Sequence, residues 1–299
     1  MKYEYILTGA LSVVLLAGCA IDGTTTADAS AALPTSKVDN ERLAAVLALQ
    51  PEERQARYDQ RHPQQTLAFF DIAPGSRVVE VLPGAGWYSP ILAAYLGAEG
   101  ELIGVDYPMS IWSNFSFASE EFIARREQWV DTWPATAADW PGDEKAVVTA
   151  NRFDTLGDEL SGTVDVVLFI RALHNLNRFE SVGGFRTQAL TETLRILKPG
   201  GMVGVVQHAA PEAADDSWAD GSRGYLKQAQ VIALFEKAGF EWVAESAINA
   251  NPKDIPAESD IVWRLPPSYN GARDDPERKA AMDAIGESNR MTLLFRKPV

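Results

Sequence analysis

Cysteine is all but missing from this chain. Its 299 residues hold one, Cys19, so no intramolecular disulfide is possible and the fold rests on its apolar core. Histidine is nearly as scarce. The three, at positions 62, 174 and 208, lack the paired spacing of a metal site, and no metal is expected. Positive charge is short as well: Lys and Arg total 27 against 41 Asp and Glu, a formal net charge of −14. Binding to nucleic acid depends on cations that displace counterions from phosphates, and no basic run with interleaved aromatics offsets the acidity, so no nucleic acid is expected as partner. A small-molecule substrate or a protein fits better, although acidity also serves simply to keep a chain soluble. The apolar run at 6–17 falls short of the roughly 20 residues that span a bilayer. What remains is ordinary globular material, 46% hydrophobic and 23% charged, enough for one substantial core. The length suits one large α/β domain with insertions, or two domains.

The run at 6–17, ILTGALSVVLLA, follows Lys2 and has the length of a signal-peptide core. It ends in Leu16-Ala17-Gly18-Cys19, which resembles the bacterial lipobox read by the lipoprotein signal peptidase. That resemblance implies a signal peptide over 1–19 and a lipid on Cys19. Residue 20 is Ala rather than Asp, which in such lipoproteins implies release from the inner membrane. The chain is then expected to be exported and anchored to the cell envelope, at the outer membrane facing the periplasm, with membrane contact through that lipid only. A plain secretory signal is the alternative. Residues 20–37 are small, polar and aperiodic and read as a flexible tether, which leaves 38–299 for the folded domain.

Periodicity organises the rest. From 40 to about 60 the pattern is helical, with Leu43, Val46 and Leu47 at helical spacing and Pro51-Glu52-Glu53 as the first turn of a second helix. A helix is expected over 62–70, a strand over 77–82, a tight loop at 83–86 and a helix over 88–96. Val78, Val79, Val81 and Leu82 form the near-continuous apolar run of a parallel strand buried on both faces. Further strands are expected at 101–106, 146–150, 164–170, 202–207, 241–246 and 290–296. Helices are expected at 120–133, 185–197 and 228–238, the last with Gly239 as its cap. This alternation implies a doubly wound parallel sheet, with insertions at about 107–145 and 249–289.

The first strand and loop carry Glu80-Val81-Leu82-Pro83-Gly84-Ala85-Gly86. Glu80, Gly84 and Gly86 stand where class I S-adenosylmethionine-dependent methyltransferases place an acid and glycines, while Leu82 replaces the first of three alternating glycines. In such sheets ligands bind beyond the carboxyl ends of the strands, where glycine lets the backbone come close. Taken alone the loop also fits a dinucleotide-binding unit, read as Gly84, Gly86 and Ser89 with Asp106. Later segments favour the methyltransferases: 164–176 (VDVVLFIRALHNL) resembles their fourth-strand motif, and 194–206 (LRILKPGGMVGVV) the turn into their fifth. GFEWVAES with the terminal NRMTLLFRKP resembles their closing strands, the seventh inserted antiparallel. The resemblance covers about 62–299. HPQQTLAFF, PGAGWYSPIL, the HN of RALHNL and FRKP look like a bacterial group of exported predicted methyltransferases. It implies a Rossmann-like, seven-stranded, mostly parallel sheet with the last strand antiparallel, S-adenosylmethionine as cofactor, and methyl transfer to a small molecule.

The same resemblance implies roles by position. Glu80 orients the loop or meets the methionine amine through water, unless it only closes its strand end. Asp106 takes the ribose hydroxyls, a diol that suits a charged acceptor, or is a turn residue. Asn151 presents a polar side chain to the adenine. Arg171, expected among the cofactor-binding residues, follows the fourth strand at the cleft mouth with His174 and Asn175, and His208 closes the fifth. A neutral imidazole at either position could take a proton during methyl transfer, or be structural. In the first insertion Trp112, Trp129, Trp133 and Trp140 with Phe115, Phe117 and Phe122 form either a cage over the cleft or a small core of their own. Methyl transfer needs mainly alignment, so the lack of a catalytic signature is no objection. A non-catalytic or repurposed binding module remains open, because Leu82 interrupts the glycines and S-adenosylmethionine is made in the cytoplasm. A nicotinamide-dependent oxidoreductase is disfavoured by the seven-strand ending.

Overall fold

The computed structural model describes residues 37–299. Cys19, the lipobox and the tether as far as residue 36 lie outside the described residues. Helix α1 (Asn40–Ala48) begins at Asp39, whose carboxylate accepts the Arg42 N–H at 2.9 Å and satisfies one of the amides that a helix start leaves free. A second helix starts after Pro51, as expected, but does not run on to residue 60. It divides into two single turns, α2 (Glu52–Gln55) and α3 (Tyr58–Arg61). His62, at φ 42°, separates α3 from α4 (Pro63–Phe69), which opens on proline, where the missing N–H costs nothing.

The strands are β1 (Arg77–Val81), β2 (Glu101–Asp106), β3 (Val147–Arg152), β4 (Val164–Ile170), β5 (Leu197–His208), β6 (Glu241–Ser246) and β7 (Arg290–Arg296). They form one seven-stranded sheet in the order β3-β2-β1-β4-β5-β7-β6. The first five run parallel, and β7 is antiparallel to both β5 and β6. This is the mostly parallel α/β fold with an antiparallel closing strand that the sequence implied. The winding reverses between β1 and β4, so the crevice of the sheet opens above their carboxyl ends.

Helices cover both faces. α5 (Ser89–Leu96) follows β1. The link from β2 to β3 holds α6 (Met109–Trp112), α7 (Glu120–Glu127) and α8 (Trp129–Thr132). The link from β4 to β5 holds α9 (Leu173–Arg178), α10 (Glu180–Gly183) and α11 (Phe185–Ile196). α12 (Gln228–Lys237) precedes β6, and α13 (Pro276–Ile285) precedes β7. Side chains alternate across a strand, and the core divides accordingly. Val79, Val81, Ile103, Val105, Val167 and Phe169 pack with Leu190 of α11 and Phe235 of α12. Their neighbours Val78, Leu102, Val166 and Leu168 pack on the opposite face with Leu43 of α1 and Ile91 of α5. Full burial of one such side chain stabilises by about 1.5–3 kcal/mol, so the strands are held from both sides.

Some boundaries differ from expectation. The helix expected over 120–133 breaks at Gln128. Trp129 is buried and stacks on Trp133 at 5.2 Å, whereas α7 buries no residue, so the two pieces follow different surfaces. β3 runs to Arg152 because it stays in register with β2 as far as Asp106, which puts Asn151 inside the strand rather than after it. β5 begins at Leu197, paired with Val164 across an irregularity, and absorbs the expected turn at 198–201. The connection over 249–289 contains a short 3-10 turn (Val262–Arg264) as well as α13.

Candidate functional site

The chain leaves β1 through three left-handed residues at alternate positions: Leu82 (φ 49°), Gly84 (φ 61°) and Gly86 (φ 69°). Leucine therefore adopts the conformation that the glycine pattern reserves for its first member, at a cost of about 1–2 kcal/mol. Its N–H donates to Val105 O at 2.8 Å, which ties the turn to β2. A Cβ added at Gly84 would meet only Leu82 O, at 3.8 Å, so the loop backbone is open to close approach. At the end of β1, the buried Glu80 accepts a hydrogen bond from Ser89 Oγ at 2.6 Å. Burial pushes its carboxyl up to about 7, against the opposing pull of Ser89 and Arg171.

Glu80 and Leu82 to Ala85 line an open cavity of about 440 Å³, bounded also by residues 54–61, the ends of β4 and β5 and the 249–289 connection. Its volume suits a small molecule, for which roughly 300–1,000 Å³ is usual. His174, on α9, and His208, at the end of β5, both line it, with ring centroids 5.6 Å apart. Gln207 donates through Nε2 to Gly224 O at 2.9 Å, so its amide oxygen faces His174 Nδ1, 3.3 Å away. Nδ1 then carries the proton and Nε2 is the acceptor. Burial pushes His174 down to about 4; the Gln207 hydrogen bond opposes this and Arg171 adds to it. His208 Nδ1 lies 2.5 Å from Ser288 Oγ, and burial, then His174 and Arg171, hold its pKa well below the usual value. Both imidazoles are neutral at neutral pH, and both are weak bases.

Arg171 is another left-handed residue (φ 60°), its N–H donating to Val206 O at 2.7 Å across the β4–β5 seam. Its side chain and that of Asn175 line the cavity, and Arg171 Nε and Asn175 Oδ1 are buried without partners.

Asp106 and Asn151 are not part of the cavity lining. Asp106 is fully buried at the end of β2, where Oδ2 pairs with Arg126 Nη2 and Oδ1 has no partner. Burial raises its pKa, with Arg126 opposing. The Arg126 guanidinium lies over Trp112 at 4.7 Å and over Trp129 at 5.2 Å. Asn151 is half-buried on β3. Trp112 sits 5.4 Å from both Phe115 and Phe122, while Trp133 packs between Trp129 and Trp140. The aromatic insertion is thus part of the main core, with Trp112 and Phe115 joining one face of the sheet and Trp129 and Trp133 the other, and it contributes nothing to the cavity wall.

Several lining residues escaped the sequence reading. Arg54 of α2, Arg57 between the two turns and Arg61 of α3 line the cavity. Their spacing of three and four was a usable signal, since it places three cations on one side of a helical ribbon. Glu287, from the connection before β7, accepts from Arg57, from Arg61 Nε at 3.0 Å and from Arg290 Nη1 at 3.1 Å. Arg61 also lies over Trp87 at 4.4 Å, and the Trp263 ring is 5.7 Å from that of His174. Nothing in the local sequence of Glu287 or Trp263 announces this meeting. Among the described residues no group of three His, Cys, Asp or Glu side chains could hold a metal ion, and no helix is long and apolar enough to cross a membrane.

No family model matches the chain, and no curated protein matches it. Among solved structures it is similar to an arsenic(III) S-adenosylmethionine methyltransferase from Chlamydomonas reinhardtii, at 17% identity over 86% of this chain and 73% of that one, with a TM-score of 0.44. It is also similar to a SAM-dependent methyltransferase from Aquifex aeolicus, at 17% identity over 71% and 94% of the two chains, TM-score 0.44. A third is the [4+2]-cyclase SpnF, at 18% identity over 80% and 81%, TM-score 0.44. Likeness at this level adds nothing to what the strand order already shows, and no activity passes from these proteins to this chain.

Proposed function

We propose that the chain is an S-adenosylmethionine-dependent methyltransferase acting on a small molecule. The observation that carries this reading is the loop after β1, left-handed at Leu82, Gly84 and Gly86 and open at the edge of a cavity of small-molecule size. The residues around it fit the cofactor by what they lack. Asp106 Oδ1 is buried without a donor, which a ribose hydroxyl would supply. Glu80 is buried with its carboxyl pushed up to about 7, and an ammonium group beside it would restore its charge. Asn151, in register with Val105 next to Asp106, is the polar side chain proposed for the adenine.

When bound, S-adenosylmethionine supplies a methyl group already activated on sulfur, so what remains for the protein is alignment. Gly84 and Gly86 admit it closely. Arg171, Asn175 and His174 hold the acceptor at the ends of β4 and α9, where His174 Nε2 and Asn175 Oδ1 are free to accept its hydrogen bonds. With a pKa of about 4, His174 orients a proton better than it removes one.

One observation favours a second reading, a repurposed binding module: Arg126 occupies one oxygen of Asp106. Melting of the full chain with S-adenosylmethionine, its demethylated product and NAD separates the two. Methyl transfer expects stabilisation by the first two only. No response to either supports the binding module, and a response to NAD alone returns the oxidoreductase.

We further propose that Cys19 carries a lipid that anchors the chain in the envelope. Cys19→Ser should abolish palmitate incorporation and membrane fractionation, and labelling that survives the change contradicts the anchor.

A further inference from the structure

The cavity is the opposite of the chain that surrounds it. In a protein of net charge −14, four guanidinium groups, on Arg54, Arg57, Arg61 and Arg171, line one cavity with two carboxylates, Glu80 and Glu287. Those carboxylates do not account for the arginines. Glu287 is shared by Arg57, Arg61 and, behind the wall, Arg290. Glu80 takes its hydrogen bond from a serine, and with its carboxyl pushed up to about 7 it is only partly ionised at neutral pH.

Three of the donors are also unspent. Arg61 is 3% exposed and its Nη1 has no hydrogen-bond partner; the Nε atoms of Arg54 and Arg171 are likewise buried and unpaired. Burial and the neighbouring Arg171 bring Arg61 down to about 9, still cationic at neutral pH. Burial and Arg290 lower Arg171 too. Both histidines are held neutral and add no charge of their own. Buried cations without matching anions are costly, and a purely structural network would pair them. Trp87, Tyr88 and Trp263 supply an aromatic wall beside them.

We propose that this cavity binds a small anion, carrying a carboxylate or a phosphate on a flat apolar body, with Arg54, Arg61 and Arg171 as its clamps. A guanidinium fork matches either oxyanion with paired hydrogen bonds, which a lysine at the same place does not. The inference concerns the charge of the cavity and goes beyond methyl transfer, since it holds whichever second ligand the loop after β1 accepts.

The test uses calorimetric titration of the full chain with benzoate, inorganic phosphate and, as the neutral counterpart, benzyl alcohol. None of these probes contains S-adenosylmethionine, so failure of the methyl-transfer reading leaves the outcome untouched. Benzoate or phosphate should saturate, weaken as salt is raised, and lose about 10-fold or more in affinity in Arg54→Gln and Arg171→Gln. Arg54 does not hold Glu287; its guanidinium donates to Gln50 Oε1 and Gly86 O, so unchanged melting of Arg54→Gln and Arg171→Gln is checked alongside. Arg125→Gln, on the exposed face of α7, should bind as the parent does. Repeating the titration with S-adenosylmethionine present identifies the source of the oxyanion: competition assigns the arginines to the carboxylate of its methionine half, and undiminished binding assigns them to the acceptor, the anion chemistry standing in both cases. Benzyl alcohol binding as tightly as benzoate, no saturable binding of either anion, or equal affinity in parent and both variants overturns the proposal.

Discussion

Arg126 Nη2 donates to Asp106 Oδ2 while Asp106 Oδ1, equally buried, receives nothing. A carboxylate at the end of β2 is thus half satisfied, and a buried acceptor left unpaired costs about 1–3 kcal/mol. The arginine comes from α7, which buries none of its residues. The pair therefore joins a strand end to a helix that reaches the core through half-buried Phe122 and Ile123. On the proposed reading, ribose hydroxyls offered to Asp106 would compete with this one guanidinium.

Glu80 makes stability depend on pH in an unusual direction. Its folded value is raised from 4.5 to about 7, so the folded chain holds this proton more tightly than the unfolded chain does. Its contribution is greatest below pH 4.5, declines as pH rises to about 7 and is flat beyond. The full change is up to about 3 kcal/mol. Glu80→Gln removes this decline, so urea unfolding should show the variant gaining on the parent by up to that amount between about pH 4.5 and pH 8. A difference that does not change with pH contradicts the burial argument.

His174 acts in the opposite sense. Its folded value falls from 6.5 to about 4, so its stabilisation is present above pH 6.5 and lost as pH drops towards 4. His208 is shifted the same way. His174→Asn should flatten the acid limb of the stability curve by up to about 3 kcal/mol relative to the parent. Denaturant melts of the two proteins at matched pH values check this, and identical acid limbs would show that His174 is not held neutral.

Gly104 on β2 lies under Trp133: an added Cβ would stand 2.6 Å from Cζ3 and 2.8 Å from Cη2 of the indole. Gly104→Ala should destabilise by about 1–3 kcal/mol through overpacking. Shortening the partner in Gly104→Ala with Trp133→Leu should cost less than the sum of the two single changes, as a double-mutant cycle would record. Strict additivity contradicts the contact.

The sequence was most readable where a strand is buried on both faces. β2, β4 and β7 have the expected bounds because their residues are largely buried, and β6 has them too although none of its residues is buried. β3 is an edge strand with one exposed and five half-buried residues, so its pattern is weak and its end slipped by two positions, carrying Asn151 into the strand. Gly84 and Gly86 were legible because the loop is local. Leu82 looked like an interruption, since residue type does not reveal that its backbone keeps the left-handed turn. Arg61 and Glu287 form their ion pair across 226 positions, and Asp106 meets Arg126 only through the fold of the insertion. Pairings of that kind arise from tertiary packing, and neither spacing nor composition carries them.

Titration of the full chain with S-adenosylmethionine measures most directly whether its ribose sits on Asp106. The parent should bind, Asp106→Ala should bind about 10- to 100-fold more weakly, and Arg126→Gln, with the competing guanidinium gone, should bind more tightly than the parent. Absence of binding in both the parent and Arg126→Gln, or equal affinity in the parent and Asp106→Ala, contradicts the account.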